Sequence, residues 1–179
     1  MTMRHVWLLP VTAGLLGPVS GIAYAAEYLS VEAAQRAAFP EATVFDPVLV
    51  AADVKAAIAR ENGRFVVEPR VWHALAGDRA LGWFIIDEVI GKVELITYGV
   101  ALDTSGAVKS LDVLAYRESH GDAIKLAAWR GQFTGKRPAD AVKLDVDIRN
   151  ISGATLSSRH VTEGVHRLLQ IYEKALARN

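Results

Sequence analysis

The sequence predicts an α+β fold, an antiparallel β-meander packed against helices that include a long C-terminal one. Three observations predict it. The runs Trp83 to Ile90 and Val93 to Leu102 are rich in Val, Ile and aromatics and are separated only by Gly91-Lys92, which reads as a hairpin. The turn residues Asp103-Thr104-Ser105-Gly106 then lead into a third strand, Val108 to Tyr116. Finally, Val161, Val165, Leu168, Leu169, Tyr172 and Leu176 recur at helical spacing with Glu163, Arg167, Glu173 and Lys174 between them, the pattern of an amphipathic helix. Strands followed by a packed helix, with no βαβ alternation, are the α+β signature.

The elements before the meander read as support. Ser30 is placed to cap a short helix from Val31 to Phe39 that stops before Pro40, and Thr43 to Phe45 read as extended. A second helix is expected from Ala51 to Glu61, after which Phe65-Val66-Val67 restarts an extended segment up to Pro69.

The chain of 179 residues is sized for one domain with a proper core. Residues 1–25 read as a secretory signal peptide, because Arg4 and His5 precede an apolar stretch, Val6 to Ile22, that ends in Ala23-Tyr24-Ala25. Pro10, Gly14, Gly17 and Pro18 interrupt that stretch, which argues for cleavage over a retained anchor. Residues 26–179 are then expected as a single domain in the periplasm or another extracytoplasmic space. Twenty Lys and Arg balance twenty Asp and Glu, so no broad field favours nucleic acid. The absence of cysteine excludes disulfides, thiolate metal sites, cysteine nucleophiles and a lipid-modified N-terminal cysteine.

Chemistry concentrates in Ile151-Ser152-Gly153-Ala154-Thr155-Leu156-Ser157-Ser158, which places hydroxyls and small residues directly before the long helix. Small residues let an anion approach the backbone, and free N–H groups with the positive dipole end favour a phosphate. Ser and Thr also cap helices at such positions, so the residues alone leave both readings open. Gly131 to Lys136 is not a nucleotide-binding loop, since its glycines are too close and Arg137 stands where a Ser or Thr must meet magnesium. Ser157 and His160 lack a nucleophile-elbow motif, and His73, His120, His160 and His166 do not make a ligand set, His160 and His166 lying on different helix faces.

Ser152-Gly153-Ala154-Thr155 followed by Leu156-Ser157-Ser158 resembles the flavinylation motif of the FMN-binding domain family, which includes the periplasmic-facing components of sodium-pumping NADH:quinone reductases and of Rnf-type electron-transport complexes. The resemblance extends upstream through Ile96 to Leu102, Asp103 to Gly106, Val108 to Leu114, the segment Tyr116-Arg117-Glu118-Ser119-His120-Gly121, and Trp129-Arg130-Gly131-Gln132-Phe133-Thr134-Gly135-Lys136. It covers roughly Gly82 to Leu169. This chain has Arg149 where the family often carries an acidic residue.

The resemblance implies FMN joined through its phosphate to Thr155 by a separate magnesium-dependent flavinyltransferase that draws on FAD. Ser152, Gly153, Ala154, Leu156, Ser157 and Ser158 would form the phosphate segment. Glu118 and Ser119 would lie near the flavin ring and bond its polar edge, with His120 beside them; Gln132 and Phe133 would line the pocket, and Lys136 would stand near the phosphate. The implied role is an extracytoplasmic electron relay, exchanging electrons with redox partner proteins and a membrane electron-transport complex. A small exported flavin-dependent reductase and a cofactor-free binding module on the same fold remain as alternatives.

Overall fold

The computed structural model of the protein describes residues 26, 27 and 29–177; the expected signal segment lies outside the described residues. Six strands form one antiparallel sheet: β1 (Ala26–Glu27), β2 (Val44–Val48), β3 (Arg70–Ala76), β4 (Arg79–Ile90), β5 (Leu95–Asp103) and β6 (Val108–Tyr116). Their spatial order is β1-β6-β5-β4-β3-β2, so β2 to β6 run as a meander and β1 closes the far edge against β6. The helices are α1 (Val31–Ala38), α2 (Ala52–Asn62), the single turn α3 (Ala127–Arg130) and α4 (Thr155–Ile171), which runs on into a π turn, Tyr172–Leu176.

The central strands read as nearly continuous apolar runs because both faces are covered. Trp83, Ile85 and Val89 of β4 join Ile96, Tyr98, Val100 and Leu102 of β5 in the core shared with α4 and with Ile58 of α2. Phe84, Ile86, Ala101 and Leu114 face the other way, onto Ala34 and Phe39 at α1. That helix starts as its sequence requires, with the Ser30 side chain accepting a hydrogen bond from the Ala33 N–H at 3.2 Å.

The sheet is wider than the expected three-stranded meander. β3 was not legible: Arg-Val-Trp-His-Ala-Leu-Ala follows no clean alternation, and its place comes from pairing with β2 and β4 on its two sides. Phe65 to Val67, expected as extended, lie in no strand; Val66 and Val67 are exposed, and Pro69 removes the N–H a ladder would need. β4 begins four residues before the expected Trp83, and the hairpin turn is longer than Gly91-Lys92, with β5 starting at Leu95. α4 begins at Thr155, inside the segment expected to precede it.

α4 crosses β4 and β5 at Gly164, where a Cβ would stand 2.0 Å from the Tyr98 Oη and 3.2 Å from the Val89 Cγ1. Under this crossing lies a buried polar group. The Tyr98 hydroxyl donates to Asp87 Oδ2 at 2.6 Å, and Arg167 Nη2 of α4 is 3.9 Å from the same oxygen. Asp87 Oδ1 and Arg167 Nε have no hydrogen-bond partner. Burial therefore raises the Asp87 pKa from 3.8 to about 6, with the Tyr98 hydrogen bond and the Arg167 charge offsetting only part of the cost.

Two outcomes are expected. Gly164→Ala lowers stability by about 2 kcal/mol through overpacking, despite the ~1 kcal/mol higher helix propensity of Ala; urea unfolding that shows no loss contradicts the close approach. For Asp87, the folded pKa lies above the unfolded one, so between them the folded state holds a proton that the unfolded state has released. The ionised side chain thus destabilises above pH 6, and the deficit fades as pH falls through about 6 towards 3.8, by up to about 3 kcal/mol. Unfolding free energies at several pH values in this window should rise on acidification for the wild type relative to Asp87→Asn, and parallel curves count against the assignment.

Candidate functional site

The N-terminal end of α4 is built by a turn and not by a side-chain cap. Gly153 takes φ 81°, a left-handed value that glycine adopts without strain, and the Ala154 N–H returns to the Ile151 carbonyl at 3.0 Å. Ala154 is the N-cap with no side-chain bond, and the first helical bond runs from the Ser158 N–H to the Ala154 carbonyl at 2.8 Å. The N–H groups of Thr155, Leu156 and Ser157 precede that bond, at the positive end of the helix dipole. Thr155 is exposed at this end, as are Ser152 and Gly153. Ser158 is buried, its hydroxyl donating back to the Ala154 carbonyl at 2.9 Å, and Ser157 is buried with its Oγ 3.3 Å from the Tyr116 Oη.

Thr155 opens onto a cleft of about 450 Å³ formed by three segments: Lys92 and Val93 of the β4–β5 turn, Glu118 to Gly121 after β6, and Gly153 to Ser157. Of the residues expected at the site, Gly153, Ala154, Thr155, Leu156, Ser157, Glu118, Ser119 and His120 meet here. The Tyr116 hydroxyl donates to the His120 carbonyl, so the end of β6 fixes this wall while its Oη also reaches Ser157 on α4.

Glu118 is engaged differently from the expected bond to a ring edge. Its Oε1 accepts the successive N–H groups of Lys92, Val93 and Glu94, the latter two at 2.5 and 2.9 Å. The turn forms a concave nest of donors, and the carboxylate of Glu118 fills it. Burial pulls the Glu118 pKa up, but the bonds from Val93, Glu94 and Lys92 with the Lys92 charge outweigh it, leaving the group below its ordinary value and ionised. Ser119 Oγ lies 2.9 Å from His120 Nδ1, and both side chains are exposed at the rim.

Gln132 and Lys136 are placed away from the cleft. Gln132 Oε1 accepts the Arg149 N–H at 2.8 Å while the Trp129 indole N–H donates to the Arg149 carbonyl at 2.8 Å, so the two side chains grip the backbone leading to Ser152 from both sides. Phe133 is wholly buried in the core, 5.1 Å from the Trp129 ring between centroids. Lys136 pairs with Asp147 at 2.8 Å, and its carbonyl accepts the Val108 N–H at 2.9 Å. That anchors Lys136 at the start of β6, roughly 25 Å along the strand from the Glu118 end at ~3.3 Å per residue.

Lys92, Val93 and Gly121 join the cleft without having been expected there. Lys92 and Val93 had read only as hairpin residues, and nothing in the linear sequence ties that turn to Thr155. A larger cleft of about 620 Å³ lies between the end of α2, residues 141–145 and the flank of α4, and it contains none of the expected site residues.

Residues 91–170, which include all three walls of this cleft, match the family model of the FMN-binding domain. The chain is also similar to one component of the Na(+)-translocating ferredoxin:NAD(+) oxidoreductase complex of Acetobacterium woodii, at 28% identity over 92 residues, covering 46% of this chain and 43% of that protein. The chain thus spans less than half the length of that relative.

The residues of the cleft fit FMN. The hydroxyl of Thr155 and the unpaired N–H groups beside it suit a phosphate. Val93 at 72% and Leu156 at 42% exposure give the cleft bare apolar surface of the kind a ring needs. Lys92 supplies positive charge.

If Glu118 holds the turn, the Lys92, Val93 and Glu94 amides are protected from hydrogen exchange in the wild type. Glu118→Ala should accelerate their exchange about tenfold, the effect of losing one charge-assisted bond to each, with Glu118→Gln in between. Equal exchange in the three proteins contradicts the nest.

Proposed function

We propose that this protein is an extracytoplasmic electron-transfer flavoprotein that carries FMN covalently through a phosphodiester to Thr155. The observation that carries the reading is the position of Thr155: an exposed hydroxyl on the first residue of α4, at the mouth of the cleft and within the segment that matches the FMN-binding domain.

Attachment is a group transfer from FAD by a flavinyltransferase. The Thr155 oxygen forms a bond to the FMN-side phosphorus, the bond from that phosphorus to the AMP oxygen breaks, AMP leaves, and the hydroxyl proton passes to the transferase. The exposure of Thr155 gives such an enzyme access, and the helix N-terminus favours the negative charge that the product retains. Ser157 is not an equivalent acceptor, because it is buried against Tyr116.

FMN supplies chemistry that no side chain here offers, the exchange of one or two electrons. The chain's contribution is to hold and orient it: the Gly153–Ser157 segment at the phosphate, the Glu118–Gly121 segment and the turn at the sides of the cleft. Similarity to a component of an oxidoreductase complex supports redox proteins, including a membrane electron-transport complex, as partners. A covalent link keeps the cofactor from dilution in an extracytoplasmic setting, which accords with the signal-like residues 1–25.

The test is the intact mass and visible spectrum of the exported protein produced with a flavinyltransferase, beside Thr155→Ala prepared identically. The expected outcome is a mass gain of one FMN less one water and yellow colour that survives denaturation, both absent from the variant. A colourless, unmodified wild type contradicts the proposal, and the same adduct on Thr155→Ala places the link elsewhere.

A further inference from the structure

The turn between β4 and β5 is held from two directions. Glu118 takes its N–H groups, as described, and His160 of α4 takes its carbonyls: the His160 Nδ1 lies 2.5 Å from the Ile90 oxygen and 3.0 Å from the Gly91 oxygen. Two carbonyl neighbours require that this nitrogen carry the proton. The Gly91 N–H further closes the turn on the Glu94 carbonyl at 2.8 Å. What the fixation does is set the distance between the two cleft walls, because His160 belongs to the same helix as Thr155, little more than one turn further on.

The fixed turn presents Lys92. Among the described residues lining the cleft, Lys92 is the only Lys or Arg. The Glu118 carboxylate beside it is bonded at Oε1 by three N–H groups and feels the Lys92 charge only at longer range. No Lys92 salt bridge to Glu118 forms among the described residues.

We propose that the Lys92 ammonium raises the reduction potential of the flavin held at Thr155, and that His160 is a positioning residue that keeps Lys92 directed at it. This rests on the assignment of Thr155 as the attachment site. Adding two electrons and one proton to oxidised FMN leaves one negative charge on the ring, which a fixed neighbouring cation stabilises. The interaction is partly open to water, so it weakens with ionic strength.

The test uses the full FMN-loaded protein, its mass verified first, equilibrated with a reference dye whose reduced form supplies the two electrons. At low salt Lys92→Gln should shift the ratio of oxidised to reduced flavin at a fixed dye potential by about threefold or more towards oxidised, and the shift should shrink at high salt. His160→Ala should shift it the same way and make the further effect of Lys92→Gln small, whereas His160→Gln, which keeps a donor, should restore part of it. Lys92 is a turn side chain, so Lys92→Gln is read even where a His160 variant fails to fold. Loaded wild type and Lys92→Gln with equal ratios overturn this proposal and leave the Thr155 reading intact; a wild type that takes up no FMN overturns both.

Discussion

The structure depends on how closely α4 approaches the sheet. At Gly164 the helix backbone rests on the hydroxyl end of Tyr98, and no side chain fits between them. That contact fixes the helix along its axis and thereby fixes its first residue, Thr155, against the ends of β6 and of the β4–β5 hairpin. Tyr98, Asp87 and Arg167 occupy the same crossing, and two of their polar atoms go without partners. An incompletely satisfied buried network contributes little net stability, and its geometry instead favours one register of helix on sheet. The surrounding apolar residues, from Ile85 and Val100 to Val165 and Leu168, supply the burial.

The cleft is a product of that placement. Its three walls come from the turn after β4, the segment after β6 and the start of α4, which are remote in sequence. Each wall is tied to another by hydrogen bonds: Glu118 to the turn, His160 to the turn, and Tyr116 to both His120 and Ser157. The cleft is therefore held in shape by hydrogen bonds within the protein itself. Behind it, Trp129 and Gln132 grip the Arg149 backbone and aim the chain at Ser152. These two residues of the family-like segment act by supporting the turn that leads into α4.

Much of this was legible because periodicity and turn chemistry are local. β6 falls on the expected Val108 to Tyr116, and the cap at Ser30 and the helices after it lie within a residue or so of their expected limits. The Ser-Gly-Ala-Thr segment drew attention for a local reason too, its small residues and hydroxyls beside a helix start. β3 was missed because a strand flanked on both sides takes its identity from its partners, and Val66 and Val67 misled because β-branched residues also occupy exposed bends. Gln132 and Lys136 followed the order of a linear motif, whereas Gly135 and Lys136 are hydrogen-bonded to Val108 at the opposite end of β6.

By itself the sequence determined the class of fold, the amphipathic C-terminal helix, the absence of cysteine and the hydroxyl-rich, small-residue segment at the start of that helix. Each of these depends on residue type and near-neighbour spacing. Only the tertiary structure decided which residues face Thr155: that Glu118 serves the hairpin turn, that Ser157 and Ser158 are buried while Thr155 is exposed, and that Lys92 enters the cleft. The physical reason is that a cleft is defined by contacts between segments distant in the chain, and these follow from the packing of α4 on the sheet and not from any local pattern.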